Sequence, residues 1–188
     1  MIIRKAEENE YDAVRAFYHS LIEEMKDSPY DIGWEKDIYP APDFLRESLR
    51  TGELYIGMEQ DAIAAAMVIN HQSNDGYRKF QWAMEADDSE IAVIHALGVH
   101  PAYGGRGYAG QMVQEAIAIA GEAGMKVLRL DVLKGNVPAE KLYTGAGFQY
   151  QGTLQMYYED TGWTDYELYE YVLERPFNSG RTGGDYGS

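Results

Sequence analysis

The chain has 188 residues, a formal net charge of −15 and no cysteine. This length suits one domain with a substantial core, and a chain without cysteine has no disulfide, no thiolate nucleophile and no zinc site built on thiolates. The acidic balance lacks the basic surface that nucleic-acid binding requires, and no apolar run reaches the ~20 residues of a membrane-spanning helix, so we expect a cytoplasmic protein that binds neither nucleic acid nor membrane.

The first half of the chain predicts an alternation of helices and strands. Apolar residues recur at helical spacing between Tyr11 and Met25, which indicates an amphipathic helix packed on the core. Pro42 suits the first turn of a second helix, and Gly52 suits its end. The predicted elements are a strand over residues 1–6, helices over residues 9–26 and 42–50, and strands over residues 53–58 and 62–70, with residues 77–84 as a further stretch of strand.

The second half is organised around one stretch, I-A-V-I-H-A-L-G-V-H-P-A-Y-G-G-R-G-Y-A-G, which runs from Ile91 to Gly110. It predicts a buried strand over residues 91–99, a glycine-rich loop, and a helix over residues 107–124. The remaining predicted elements are a strand over residues 126–133, a helix over residues 137–144, and a terminal hairpin over residues 147–158 and 163–173. This order predicts an α+β domain over residues 1–174, with a mixed, twisted sheet of about seven strands between helices. Residues 175–188 cannot bury a core, and we expect a disordered tail there.

The junction between the central strand and its helix is a candidate phosphate site. Backbone N–H groups at a helix N-terminus have no intrahelical partner and lie at the positive end of the helix dipole. The spacing Gly105-x-Gly107-x-x-Gly110, with Asp131 about 20 residues further on, matches the fingerprint of dinucleotide-dependent oxidoreductases. In those proteins, however, the strand leads almost directly into the first glycine, whereas residues 100–103 intervene here. Binding of NAD(P) would identify this class.

A second interpretation explains more of the sequence. The stretch L-G-V-H-P-A-Y-G-G-R-G-Y-A resembles the acetyl-CoA signature of the GNAT N-acetyltransferase superfamily, a strand L-x-V-x-P-x-Y followed by R/Q-x-x-G-x-G/A. The stretch N-V-P-A-E-K-L-Y-T-G-A-G-F resembles the family's N-x-x-A-x-x-L-Y-x-x-x-G-F. The matching residues are Leu97, Val99, Pro101, Tyr103, Gly105, Gly107, Ala109, Asn136, Ala139, Leu142, Tyr143, Gly147 and Phe148. Gly104 departs from the family's Arg or Gln, a loss for which Arg106 would compensate.

The resemblance implies a three-layer α/β/α GNAT-like fold and transfer of an acetyl group from acetyl-CoA, the acyl-donor substrate, to a primary amine by direct attack. The main chain of residues 97–99 would hold the pantetheine arm, and one N–H there would face the developing oxyanion. The implied cofactor-binding residues are Leu97, Gly98, Val99, Gly104, Gly105, Arg106, Gly107, Tyr108, Ala109, Gly110, Asn136 and Tyr143.

Two residues are candidates for proton transfer. The segment H-A-L-G-V-H resembles a strand of one family member, serotonin N-acetyltransferase, in which a histidine relays the proton, and this implies a base at His95. An ordinary histidine titrates near pH ~6.5 and can accept a proton at neutral pH. Glu85 and Glu90 are rival bases because they lie close in sequence. Tyr143 matches the family tyrosine that points at the CoA sulfur, which implies a general acid.

The acceptor amine is the least defined part of the sequence interpretation. Trp34, Tyr39 and Trp82 are expected to line its site, where aromatic faces suit an amine through cation–π contacts. The histidines show no metal-ligand spacing, so we expect no metal. A non-catalytic acyl-CoA sensor and a transferase of longer acyl chains stay open, as does a homodimer, a form common in the family.

Overall fold

The computed structural model describes residues 1–30 and 32–173. Its helices are α1 (Tyr11–Met25), α2 (Pro42–Arg50), α3 (Gly76–Lys79), α4 (Tyr108–Glu122) and α5 (Val137–Gly145). Its strands are β1 (Ile2–Lys5), β2 (Leu54–Glu59), β3 (Ala62–Asn70), β4 (Ile91–Val99), β5 (Val127–Leu133), β6 (Gln149–Tyr158) and β7 (Gly162–Val172). The predicted tail over residues 175–188 lies outside the described residues.

The seven strands form one open sheet in the order β1-β2-β3-β4-β5-β7-β6. All neighbouring strands run antiparallel except β4 and β5, which run parallel. The predicted mixed sheet of about seven strands is therefore confirmed. It differs from the parallel, doubly wound sheet of dinucleotide-binding proteins, so the oxidoreductase interpretation loses the fold on which it depends.

Helices cover both faces of this sheet. On one face, α4 and α5 pack over side chains such as Met67 of β3 and Leu130 of β5. On the other face, α1 and α2 bury Val14 and Leu45 against Val68 of β3. The apolar residues of α1 recur every three or four positions, which gives the helix one buried stripe. The expected three layers are confirmed. Among the helices of the described residues, none is long and apolar enough to cross a membrane.

The prediction of a strand over residues 77–84 is wrong. The chain forms the short helix α3 there and then continues without pairing to the sheet. Asn74 sets up this turn, because its Oδ1 accepts the N–H of Gly76 and its Nδ2 donates to the carbonyl of Tyr157. The aromatic residues that suggested a strand pack instead over β4 and β7, where Tyr77 is buried against Val93 and Leu168.

Strands β4 and β5 separate soon after they meet. They pair only over Ile91–Val93 and Val127–Arg129, whereas β4 stays paired with β3 as far as Val99. The β3–β4 register shifts at Ala96, whose φ of 48° lies in the left-handed region. A bulge of this kind turns a strand and increases its twist. The result is a gap in the sheet, bordered by the second half of β4.

Candidate active site

A cavity of about 430 Å³ fills the gap between the two strands. Residues 94–99 of β4 form one wall and residues 130–133 of β5 form another. Leu142 and Tyr143 of α5 close it on one face of the sheet, while Leu21 of α1 and Trp34 close it on the other. The cavity therefore connects the two faces of the sheet through the gap.

The cavity brings together residues that lie far apart in sequence. Of the predicted cofactor-binding residues, those that line it are Leu97, Gly98, Val99, Ala109, Asn136 and Tyr143. Of the predicted acceptor residues, Trp34 and Tyr39 line it, but Trp82 does not. The Trp82 indole donates to the carbonyl of Tyr77 and its ring lies 4.2 Å from the Arg129 guanidinium carbon, beside a separate depression. Tertiary contacts to β5 thus direct Trp82 away from the cavity.

The bulge in β4 is held by two tyrosines. The Tyr18 hydroxyl donates to the carbonyl of Ala96 at 2.8 Å, and the Tyr39 hydroxyl accepts the N–H of the same residue at 3.1 Å. A positive φ costs an alanine roughly 1–3 kcal/mol, which these hydrogen bonds help to offset. The next residue along the strand, Leu97, has no register partner on β3 or β5. Leu97 also lines the cavity, so its main chain borders the space that a ligand would occupy.

Gly98 allows a close approach between β4 and the layer above it. A Cβ at this position would lie 2.7 Å from Leu21 Cδ1 and 3.3 Å from Trp34 Cζ3. The bulge itself is at Ala96, so the need for glycine at position 98 comes from packing.

Tyr143 and Asn136 present polar groups from the opposite side of the cavity. Tyr143 is 7% exposed, and its hydroxyl makes no hydrogen bond within residues 1–30 and 32–173. In this described part of the chain no fully buried polar side-chain atom lacks a partner, so the hydroxyl is open to the cavity. Burial, and then the negative charge of Asp131, raises the pKa of Tyr143. Asn136 caps α5 through a bond from the Ala139 N–H to its Oδ1 at 3.3 Å.

The glycine-rich loop joins β4 to the N-terminus of α4 beside the cavity. Gly107 forms the N-cap of α4 with a φ of 73°, and a Cβ there would meet no atom within 4 Å. Open space above exposed N–H groups at a helix start suits a phosphate. Arg106 is half exposed and lies 3.7 Å from Glu59, which also accepts the Tyr108 hydroxyl. Of the residues from Gly104 to Gly110, Ala109 lines the cavity, so this helix start lies at the edge of the cavity.

His95 lines the cavity with one ring nitrogen already engaged. Its Nε2 lies 2.9 Å from Asn70 Oδ1 and 2.9 Å from the carbonyl oxygen of Gln72. The carbonyl can only accept, so Nε2 carries the proton and Nδ1 carries the lone pair. Burial lowers the pKa of His95 to about 4. The neutral ring is thus a weak proton acceptor at neutral pH, and its role as the base stays a prediction.

Asp131 is a polar group of the cavity that the sequence predicts only as a ribose-binding acid of a dinucleotide site. A single carboxylate in the apolar strand V-L-R-L-D-V-L is itself a signal of function. The hydroxyls of Tyr77 and Tyr158 donate to its Oδ2 at 2.7 and 2.8 Å. Burial raises the pKa of Asp131 against the effect of these two bonds. In the part of the chain that the structure describes, no group of three His, Asp or Glu side chains is placed to hold a metal ion.

Comparisons with known proteins agree with this geometry. The model of the Acetyltransferase (GNAT) family matches residues 15–148. No curated protein matches the chain. A GNAT-family acetyltransferase from Streptococcus agalactiae aligns with a TM-score of 0.74 at 19% identity, over 92% of this chain and 95% of that one. The yncA protein of Salmonella typhimurium, solved with its cofactor acetyl-CoA, aligns with a TM-score of 0.64 at 18% identity, over 93% and 94% of the two chains.

A ribosomal-protein-alanine N-acetyltransferase from Brucella melitensis aligns with a TM-score of 0.67 at 19% identity, over 92% of this chain and 100% of that one. Identities this low show a shared fold and leave the acceptor undefined. The family model nevertheless spans most of the sequence and contains both the glycine loop and α5. The protein therefore belongs to the GNAT acetyltransferase family.

Proposed function

We propose that this protein transfers an acetyl group from acetyl-CoA to a primary amine by direct attack of the amine on the thioester. The observation that carries the proposal is the cavity in the gap between β4 and β5. This cavity connects the face of the sheet that carries α4 and α5 to polar and aromatic side chains on the other face. A donor and an acceptor entering from opposite faces would meet at the bulge. Direct attack needs no covalent intermediate, which suits a chain without cysteine.

The donor is proposed to lie along the unpaired edge of β4. The main chain of residues 97–99 would pair with the pantetheine arm, and the Leu97 N–H would face the thioester oxygen as negative charge develops there. One such donor is worth about 10²–10³ in turnover when it is already in place. The loop from Gly104 to Gly110 would hold the pyrophosphate, with Arg106 as its cation.

The chemistry then requires two proton movements. The neutral amine nitrogen bonds to the carbonyl carbon, the C–S bond breaks, the nitrogen releases one proton and the thiolate takes one up. Tyr143 is the proposed donor to the thiolate, because it lines the cavity and its phenol is protonated at neutral pH. His95 is the sequence-based candidate for the acceptor of the amine proton, and the weak basicity of its partly buried ring makes this the step most in need of a test.

The first experiment is a thermal-shift titration with acetyl-CoA, CoA and NAD⁺ in parallel. A ligand at 100 times its Kd stabilises a protein by about 2.7 kcal/mol. We expect acetyl-CoA and CoA to stabilise this protein and NAD⁺ to have no effect; stabilisation by NAD⁺ alone would contradict the proposal.

Thiol release in the presence of primary amines then separates a transferase from a non-catalytic acyl-CoA sensor. The sensor would bind acetyl-CoA but would release no CoA with any amine. A series of acyl-CoA donors of increasing chain length tests the acetyl preference, since propionyl-CoA and longer donors should lose kcat/KM if the gap limits the acyl group.

A further inference from the structure

The side of the cavity that faces away from α5 has an unusual chemical character. Aromatic and acidic side chains line it beside the aliphatic Leu21, Met25 and Ile32, and we call this aromatic and acidic group the acceptor chamber: Trp34, Tyr39, Asp131, Tyr158, Asp160 and Tyr166. Among the described residues that line the whole cavity there is no lysine and no arginine. The formally charged side chains that line it at neutral pH are therefore the carboxylates Asp131 and Asp160.

The aromatic rings of this chamber form a continuous series. The ring centroids of Trp34 and Tyr39 are 5.7 Å apart, those of Tyr39 and Tyr158 are 6.4 Å apart, and those of Tyr158 and Tyr166 are 4.9 Å apart. Aromatic faces attract a cation through their quadrupole, most strongly where water is excluded. They offer no comparable attraction to an anion.

Asp131 supplies the fixed charge at the bottom of the chamber. Both tyrosine donors, Tyr77 and Tyr158, bind the same oxygen, Oδ2. The other oxygen, Oδ1, accepts no hydrogen bond from residues 1–30 or 32–173, yet no fully buried polar atom of those residues is without a partner. It follows that Oδ1 is open to the cavity and ready to accept from a ligand.

A carboxylate held in this way favours a cationic ligand. Removing a carboxylate from water is costly unless an opposite charge or hydrogen-bond donors compensate. The two tyrosine hydroxyls compensate one oxygen only. An ammonium group carries three donors and a positive charge, so it satisfies the second oxygen and offsets the burial of the charge.

We propose that the acceptor is a cationic primary amine that carries no carboxylate or phosphate of its own, and that Asp131 binds its ammonium group in the acceptor chamber. This inference rests on the proposed acetyl transfer and narrows its substrate class. An amino acid would bring its own carboxylate into a chamber that contains Asp131 and Asp160 and no cation among its described lining residues. Asp131 is therefore a specificity-determining residue. Its negative charge attracts the ammonium group of an amine and repels the carboxylate of an α-amino acid.

The test uses pairs of compounds that differ only in one carboxylate: phenethylamine and phenylalanine, tyramine and tyrosine, putrescine and ornithine, agmatine and arginine. Binding of each to the full-length protein is measured by calorimetry in the presence of saturating CoA, which separates recognition from turnover. We expect at least one amine to bind 100-fold or more tightly than its amino acid. Equal binding within every pair, tighter binding of the amino acid in every pair, or binding of no amine would overturn the inference.

The variant Asp131→Asn removes the charge but keeps a carbonyl oxygen for the two tyrosine hydroxyls. We expect it to weaken binding of the preferred amine by about 10- to 100-fold, while the Kd for CoA and the melting temperature stay near those of the wild type. The matched control is Asp61→Asn, which makes the same change at an exposed turn. If Asp131→Asn binds the amine as the wild type does, Asp131 is not its partner. If this variant does not fold, the compound pairs on the wild type still decide the question.

Turnover is then measured on the same pairs, so that the two proposals fail in different ways. An amine that binds next to CoA but is never acetylated would contradict the proposed transfer and leave the cation site intact. Acetylation of amino acids in preference to amines would confirm the transfer and refute the cation site.

Discussion

The hydroxyl of Tyr39 lies 3.1 Å from the amide nitrogen of Ala96, the residue at which β4 bulges. Tyr18 binds the carbonyl of the same residue from α1. The conformation of the strand at the proposed thioester site is thus fixed by two side chains that belong to the layer above the sheet. Tyr39, which the sequence predicts to contact the acceptor, therefore also positions the backbone that would hold the donor.

We expect Tyr39→Phe and Tyr18→Phe each to lower kcat by about 10-fold while KM for acetyl-CoA changes little. A misdirected oxyanion donor loses part of the 10²–10³ that such a donor contributes. Tyr18 is absent from the described lining of the cavity, so an effect of Tyr18→Phe on kcat would have to pass through the bulge. Steady-state kinetics on both variants makes the comparison, with Tyr55→Phe on β2 as the control.

Unfolding measurements complete this test. Loss of one partner from a buried hydrogen bond costs about 1–3 kcal/mol, so both variants should remain folded but less stable. Unchanged kcat in both variants would show that the bulge keeps its geometry without the tyrosine hydroxyls.

For Tyr143→Phe we expect kcat to fall by 10²-fold or more, since general acid catalysis contributes about 10²–10⁴, while the Kd for acetyl-CoA stays within threefold. Thiol release gives kcat, and the thermal shift gives the affinity. Tyr169→Phe is a suitable control, because its ring centroid lies 6.5 Å from that of Tyr143 but its hydroxyl binds Glu167. If turnover survives the loss of the Tyr143 hydroxyl, the thiolate takes its proton from another group.

The order of the long helices and strands could be read from the sequence because each one repeats its apolar residues at the spacing of its own geometry. The bulge could not be read in this way. Alanine has no local preference for a φ of 48°, and the groups that hold it there are 78 and 57 residues away in sequence.

The prediction of a strand over residues 77–84 is wrong for a related reason. Tyr77 and Trp82 have side chains that favour strands, but Tyr77 binds Asp131 and Trp82 lies over Arg129. These tertiary partners, both on β5, decide its conformation. The sequence identifies Asp131 as a candidate polar residue, but it does not show that its partners are Tyr77 and Tyr158 rather than a ribose.

Arg106→Gln should raise the Kd for CoA by about 10-fold, which corresponds to about 1.4 kcal/mol. A charged side chain at the helix start adds to the attraction that the N–H groups and the helix dipole exert on phosphate. Gly104→Gln restores the side chain common in the family at a φ of −58°, which any residue adopts. Its Cβ would lie 3.1 Å from the carbonyl oxygen of Pro101, so the loop must shift by a few tenths of an ångström, and we expect a lower Kd. Calorimetry with CoA measures both.

The structure also supplies a way to localise these loop effects. Acetyl-pantetheine has the thioester but no pyrophosphate, so kcat/KM for this donor should not respond to Arg106→Gln. Arg50→Gln on α2, where the arginine pairs with Glu47 on the surface, controls for the change in net charge. An equal loss of kcat/KM with acetyl-CoA and acetyl-pantetheine would show that Arg106 does not act through the pyrophosphate.

His95 links the candidate site to the pH dependence of stability. Its pKa is 6.5 in an exposed ring, and burial lowers the pKa to about 4 in the folded chain. Between these values the unfolded chain binds a proton that the folded chain does not, so the free energy of unfolding falls as the pH is lowered through this window and is fully recovered above pH 6.5. The full loss, on the order of 3 kcal/mol, is reached below pH 4, and about 2 kcal/mol of it falls between pH 7 and pH 5. Urea unfolding at pH 7 and pH 5 should show that His95→Gln reduces this loss.

The same variant tests the base. Glutamine can still donate toward Asn70 Oδ1 and the Gln72 carbonyl, but it cannot accept the amine proton. If His95 is the base, kcat of His95→Gln should fall by about 10²–10⁴ and the acidic limb of the pH–rate profile should flatten. The engaged Nε2 and the weak basicity of the ring lead us to expect less than a 10-fold loss at pH 7. A partly buried ring that stays neutral would then serve to position Asn70 and the end of β3, while another group takes the proton from the bound amine.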